Sequence, residues 1–437
     1  MKVLACFTVA ALFSAINVEA ATRNAASCSR TDVGNAVNSA ADGDTIVIPA
    51  GTCTWTTNLA ITNKILTLQG AGPNSTVIVD GVSKAVYPNI PEVLVWQTKP
   101  GGISRITGIG FEGGSTVDPM GVSILKIVGN SHQFRFDHSR VKTTESSAII
   151  IRGNVLGVID HVAFELNNWK FGIMLHLEAW NNTGDFGDAS WADDSYIGTD
   201  KAVFIEDCSF TGTGNQVAID GWSGSRVVFR YNQLRNAAWE NHGLETAGRW
   251  RSMRTYEIYN NTFTWDSMVW ASMIGVRGGT GVIFNNTGTT TGSAYTNVLA
   301  DLNTLRSSDF SRAYAPWGHC DGSNVWDGNQ NSAGWPCMDQ PGRGKGGMMS
   351  SFDPSPVGYP NQVNDPVYGW NNTLNGQVSK IRSNAPNSVQ EGRDFFSTPK
   401  PGYTPYTYPH PLTTGSTGSG GSSAPTAPSN LRILSSE

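Results

Sequence analysis

A short strand-like phrase recurs along this chain and constrains its folding more than any other feature. It is clearest as Val203-Phe204-Ile205-Glu206-Asp207-Cys208-Ser209-Phe210, Val227-Val228-Phe229-Arg230-Tyr231-Asn232-Gln233-Leu234 and Tyr256-Glu257-Ile258-Tyr259-Asn260-Asn261-Thr262-Phe263, and it fades at Val282-Ile283-Phe284-Asn285-Asn286-Thr287. Earlier copies run from Phe134 to Val141 and from Gly157 to Phe164, with a fainter one from Ser104 to Phe111. With Ile106, Phe136, Ile159, Ile205, Phe229, Ile258 and Phe284 as markers, the successive separations are 30, 23, 46, 24, 29 and 26 residues. Self-similarity at such a period marks a solenoid. Five residues past the markers the chain is again apolar, at Phe111, Val141, Phe164, Phe210, Leu234 and Phe263. Alternation, a polar corner and a second inward residue describe strand, turn and strand.

A repeat of this length cannot hold a strand, a helix and two loops, but it holds three short strands and three corners. The expected fold is all-β: a single-stranded right-handed parallel β-helix whose rungs stack about 4.8 Å apart, so that equivalent positions form columns along the axis. An antiparallel sandwich would use shorter hairpin spacings and would not keep the marker pattern.

Only 15% of residues are charged while 39% are hydrophobic, with 49 glycines, a turn-rich chain with ample core. The first twenty residues read as a secretory signal: Lys2, an apolar run from Val3 to Ile16, and small residues Val18 and Ala20 before a cleavage point at Ala21. Secretion leaves Cys28, Cys53, Cys208, Cys320 and Cys337, from which Cys28–Cys53 and Cys320–Cys337 are the expected disulfides and Cys208 a buried column residue. Zinc ligation would want closer Cys pairs or a nearby His. The net charge of -5 survives signal removal, because Lys2 and Glu19 leave together, so nothing steers the whole molecule toward an anionic polymer, nucleic acid included. Between residues 226 and 277, however, seven arginines face four carboxylates, a local positive excess. No second span is long enough to cross a membrane, and a monomer is expected.

Thr31 to Ala41 is expected to form an N-terminal capping helix over the open end of the solenoid, followed by strands at Ile65–Gln69, Thr76–Asp80 and Val93–Gln97. A second strand set is expected at Ile124–Val128, Ala148–Ile151, Gly172–Leu175, Val217–Ile219, Gly243–Leu244 and Met273–Val276. The 46-residue step contains an insertion, Glu178 to Asp200, rich in Trp, Asp, Gly and Asn, of the kind that carries function on a rigid scaffold. Asn-Asn-Thr recurs at 181, 260, 285 and 371; these could be glycosylation sites, but stacked corner asparagines explain two of them as well, and the ladder is the favoured reading. Gly318 to Gly347 should pack irregularly along the solenoid. The domain thus spans residues 21–412; from 413 a Gly/Ser/Pro linker leads to Ala424–Ile433, which resembles the start of a fibronectin type III module and implies a longer parent protein.

Arg152, His176, Asp220, Glu245 and Arg277 fall 15 to 19 positions after their markers, at the ends of the second strand set. Stacking would bring these neighbours to within about 5 Å of one another, a charged groove beside the insertion.

At this point the residues resemble the secreted pectate lyases. The resemblance rests on Phe204 to Phe210, Ala218-Ile219-Asp220-Gly221-Trp222 through Asn232, His242 through Gly248, and Arg249-Trp250-Arg251-Ser252-Met253-Arg254 ahead of Ile258-Tyr259-Asn260-Asn261. It implies β-elimination from a uronate-containing extracellular polysaccharide with Ca2+. Residue by residue, Glu206 and Asp220 would hold the metal, and Arg249 would abstract the proton with Arg254 in the catalytic group. His176, Trp222, His242, Glu245, Arg251 and Arg277 would contact substrate. A hard cation on carboxylates would acidify the uronate C5 proton, and a desolvated arginine crowded by cations would act as base. The chain departs from the family pattern at Gln216, where an Asp is expected, at Arg251 in place of Pro, and after His242, where a Lys is missing; Asp160-His161 spells the family's strand motif better than Glu206-Asp207 does.

Two other readings stay open. Asp220 and Glu245 at about 5 Å would suit a retaining glycoside hydrolase. Trp180, Trp191, Trp222, Trp239 and Trp250 would suit a non-catalytic, carbohydrate-binding or adhesive β-helix.

Overall fold

Each turn of the chain makes three short strands, and each strand pairs in parallel with its counterparts one turn before and one turn after. The computed structural model describes residues 20–83, 92–114, 123–143, 147–167, 171–184, 186–244, 250–305, 320, 337–345 and 362–414. In the first ladder Phe136 lies between Ile106 and Ile159, Ile159 pairs with Ile205, Ile205 with Phe229 and Phe229 with Ile258. In the second, Phe111, Val141, Phe164, Phe210, Leu234 and Phe263 follow one another in register. The third is built from Leu94–Thr98, the start of Ser123–Asp137, Ser147–Arg152, Phe171–His176, the end of Ser209–Trp222, Ser272–Val276 and Val298–Leu302. The one antiparallel pair among the described strands joins Thr373–Leu374 to Gln377–Val378. The inward columns of all three ladders merge into one buried core. The architecture is the expected parallel β-helix.

Two strand expectations shift. Ile258 pairs with Ile283, and Phe284 pairs with Tyr259 on the outer side. The apolar pull on Phe284 comes from outside, where its ring stacks between Tyr259 at 4.6 Å and Trp370 at 4.3 Å. The third-ladder strand expected at Gly243–Leu244 is instead the end of Gln233–Glu240, since Asn236 turns the corner early at φ 48 and Ala237 and Ala238 fill the narrow interior behind Trp239.

The corner between the first and second ladders has a fixed recipe. The residue after the first-ladder strand adopts a left-handed conformation in turn after turn, at His138, His161, Asp207, Tyr231, Asn260, Asn285 and Asn371, with φ between 45 and 57. The next residue points inward, and there Asn232, Asn261, Asn286 and Asn372 stack. Each side-chain oxygen accepts from the backbone N–H and, within the stack, the amide of the residue one turn before, at 2.9 to 3.1 Å, and each amide also donates to a strand carbonyl. Buried amides at a sharp corner are thereby fully paired. The second asparagine of the strings at 260, 285 and 371 forms this ladder; the string at 181 lies elsewhere.

The helix Arg30–Ser39 starts at Ser29, whose hydroxyl accepts from the Asp32 N–H, and packs Val33, Ala36 and Val37 on the first turns. At its end Lys64 Nζ takes the carbonyls of Val37, Asn38 and Ala40. Cys28–Cys53 and Cys320–Cys337 are both bonded, and Cys208 is buried and free. No helix among the described residues is long and apolar enough to cross a membrane. The signal-like segment before Ala20, most of Gly318–Gly347 and the stretch after Thr414 lie outside the described residues.

The C-terminal segment runs back down the outer face of the first ladder. Tyr403 donates to Glu257 Oε2, Arg230 to the carbonyls of Tyr406 and Thr407, the His410 N–H to Glu206 Oε1, and Arg135 to the carbonyl of Leu412. Beneath it lie Phe204, Val228, Tyr259, Val282 and Phe284. A solenoid face this apolar would be an exposed patch without the cover.

Candidate functional site

At the outer end of the third ladder, where Phe171–His176 and Ser209–Trp222 finish side by side, aromatic and charged side chains converge. The Asp220 carboxylate, 2% exposed, holds His242 through Oδ1 to Nδ1 at 2.6 Å. Trp222 lies against both histidines, its ring 4.5 Å from His242 and 4.6 Å from His176, and its indole N–H donates to His176 Nδ1 at 2.8 Å. An indole can only donate, so Nδ1 of His176 carries the lone pair and the ring proton sits on Nε2. Burial, with the charges of Arg152 and His242 behind it, holds His176 well below its ordinary pKa. It is a neutral imidazole.

On the neighbouring strand, opposite His176, Arg152 binds Glu178 Oε1 at 2.9 Å and lies 5.9 Å from the Trp250 ring. Burial pushes the Glu178 carboxyl up, countered by Arg152. Arg277 donates to the carbonyl of Asn241 at 2.8 Å and stands 3.8 Å from Glu240. Three buried polar atoms here have no hydrogen-bond partner among the described residues: Asp220 Oδ2, His176 Nε2 and Glu178 Oε2. Such atoms cost stability unless something else satisfies them, so their concentration at one place marks it as a site. Two residues past Arg152 and three past Glu178, the chain enters the wall of a cleft of about 640 Å³ lined by Asn130, His132, Gln133, Asn154, Asn181 and Asn182. Neutral amides and an imidazole of this kind suit hydroxyl-rich ligands.

The expected column forms in part. Arg152 and His176 are register partners, but the residue opposite His176 is Trp222, and Asp220 lies opposite Met174. Asp220 reaches the cluster through His242 instead. Arg249 and Glu245 lie outside the described residues.

The other expected residues are placed differently. Arg251 is 1% exposed and bonded to both oxygens of Asp339 at 2.7 Å and to Asp188 at 3.0 Å. Arg254, also 1% exposed, lies 5.3 Å from the Trp191 ring and 3.7 Å from Asp365. Arg251 thereby ties the insertion and the 337–345 segment to the solenoid, and Arg254 ties in the insertion, through the Asp193 carbonyl, and Asp365. The local positive excess therefore sits mostly inside: Arg226 and Arg230 are buried as well, while Arg235 is exposed and paired with Asp266. The insertion itself is a packed plug, with a one-turn helix Asp188–Ala192 and with Trp180 and Trp191 in the core. Trp239 is buried too, which leaves Trp222 and Trp250 partly exposed among the five tryptophans considered.

Glu206 does not meet Asp220. It lies on the first ladder between Asp160 and Arg230, wholly buried, with Oε2 bound by Arg230 at 2.7 Å and Oε1 by the His410 N–H at 2.8 Å. The Glu206–Asp220 pair expected to hold calcium is not assembled, since both Glu206 oxygens are taken and Asp220 belongs to another face.

The sequence reading passed over Glu178 as a partner of Arg152, although His176-Leu177-Glu178 places two polar residues on one face of an extended segment. It also passed over the bidentate pairs Arg105–Asp137 and Arg135–Asp160 on the first ladder. No protein-family model matches the chain, and no curated protein is found to be similar to it.

Proposed function

We propose that the protein acts on an extracellular, uronate-containing polysaccharide by β-elimination, with the polymer lying across the end of the third ladder. The observation that carries this reading is the Asp220–His242 contact at 2.6 Å, with Asp220 Oδ2 beside it having no hydrogen-bond partner among the described residues. A carboxylate on Nδ1 leaves Nε2 as the basic nitrogen, the arrangement a general base needs. In this reading His242 takes the C5 proton, the bond from C4 to the leaving oxygen breaks as the C4–C5 double bond forms, and the leaving oxygen takes a proton from water. Arg152 is the cation at hand for the uronate carboxylate, and Trp222 and Trp250 offer ring faces to sugar. The two disulfides suit an oxidising, extracellular setting. No step is assigned to calcium.

The test is a panel of pectate, alginate and other uronate polymers, with and without calcium, reading the ultraviolet absorbance of unsaturated ends and, separately, reducing ends. Unsaturation abolished by His242→Gln supports the reading. Unsaturation abolished by Arg249→Ala but kept in His242→Gln moves the base to Arg249. Reducing ends without unsaturation indicate hydrolysis, and binding without either indicates an adhesin.

A further inference from the structure

We propose that His138 and His161, on the corner between the first and second ladders, form a binding site for one divalent transition-metal ion of the imidazole-preferring kind, such as Ni2+, Cu2+ or Zn2+. The two residues occupy the left-handed corner position of consecutive turns, at φ 45 and 55. Their side chains are 57% and 52% exposed. The rings are parallel to within 4° with centroids 4.9 Å apart.

Each imidazole is held from behind by the carboxylate that precedes it. Asp137 accepts from His138 Nδ1 at 2.7 Å and Asp160 from His161 Nδ1 at 3.1 Å. These carboxylates could themselves be counted as ligands, and Asp137, His138 and Asp160 do offer donor atoms within 4.8 Å of one another. They are already committed: Asp137 takes two bonds from Arg105 and one from Thr107, and Asp160 takes two from Arg135. Their role is to fix Nδ1 as the protonated nitrogen and to orient the ring, which is what a carboxylate does behind a metal-binding histidine.

With Nδ1 of both rings directed at neighbouring members of one carboxylate row, Asp137 opposite Asp160 in register, both Nε2 atoms face away on the same side. A metal–nitrogen bond of about 2.0 to 2.1 Å puts two cis nitrogens on one ion about 3 Å apart, and because each lone pair lies in its ring plane the two parallel rings must tilt about their side-chain torsions until their Nε2 atoms converge. Exposed side chains on a turn can do so, with water completing the coordination. Hard oxygen-seeking ions such as Ca2+ gain nothing from imidazole.

The experiment uses tag-free protein without residues 1–20, titrated with Ni2+ and with Zn2+ by calorimetry, with histidine side-chain NMR as a second reading. One ion per chain is expected, perturbing His138 and His161 together, with no heat from Ca2+. His138→Asn and His161→Asn should each weaken binding at least ten-fold while leaving the thermal midpoint in place, since both rings are exposed and asparagine accepts the left-handed corner conformation, as it does at 260, 285 and 371. Absence of binding, unchanged affinity in either variant, or loss of binding on changing His242 or His132 instead would overturn the proposal. None of these outcomes depends on the polysaccharide reading.

Discussion

Trp222 donates its indole N–H to Nδ1 of His176 across 2.8 Å, and the two residues sit opposite each other on neighbouring strands. The bond dictates the tautomer of a buried imidazole, which should be visible by NMR as an Nε2–H ring that stays neutral well below pH 6.5. Because the folded-state pKa lies below the unfolded one, the contribution to stability is complete above the unfolded value and is lost as pH falls. Trp222→Phe removes the donor and frees Nδ1 to take a proton toward Glu178, 3.8 Å away, so the His176 titration should move up. A titration that does not move would mean that burial alone sets it.

The Asp220–His242 pair gives a sharper test of the site. Asp220→Asn keeps the shape and removes the charge behind the imidazole, and His242→Gln removes the base. Each should lower turnover by about two to four orders of magnitude. Melting temperatures should change little for His242→Gln, which is partly exposed. A variant that keeps full activity places the chemistry elsewhere.

Stability is expected to be concentrated in the asparagine stack. Asn261→Ala would leave the Asn232 N–H without its acceptor, at 2.9 Å in the native protein, and strip donors from the Phe229 carbonyl and Asn286 Oδ1. The cost should be about 2 to 4 kcal/mol in urea unfolding. Asn260→Ala, which only loads a side chain without polar compensation onto a φ of 56, should cost about 1 to 2 kcal/mol. A reversed order would show that the corner conformation, and not the amide ladder, dominates.

His410 links the C-terminal segment to pH. Burial, the leading cause, and the Arg230 charge depress it to about 4. Its unfolded value is near 6.5, so this contribution to stability is full above that pH and declines as the pH falls toward 4, by at most about 3 kcal/mol. Melting temperature followed across this window should fall more steeply for the natural protein than for His410→Phe.

Removing residues 403–414 should expose the face of Phe204, Tyr259 and Phe284 and uncover the Arg230–Glu206 pair. A hydrophobic dye should then bind strongly, and the melting temperature should drop. If neither changes, the segment is a passenger.

Much of the solenoid could be read from the sequence because its determinants are local and repeated. Ile205 or Phe210 is buried for the same reason in every turn, and period-two alternation reports it directly. Phe284 shows where this fails, since its apolarity answers to Trp370 and the returning chain, contacts that no repeat encodes. The site was less legible. Grouping residues 15 to 19 positions past their markers placed Asp220 in line with His176, yet these two turns stay in strict register from Ile159–Ile205 to His176–Trp222, so Trp222 takes that place and Asp220 falls opposite Met174. Arg251 was expected to contact substrate and Arg254 to join the catalytic group because sequence cannot show that Asp339 and Asp365, some ninety residues or more away, meet them.

The descending C-terminal segment also decides where any appended module would be carried. It passes Glu257, Arg230 and Glu206 in turn and ends against Arg135, so Thr414 departs from the flank of the column beside its earlier coils. A cargo attached there would hang at the side of the shaft, on the first-ladder face, leaving the approach to His242 on another side unobstructed.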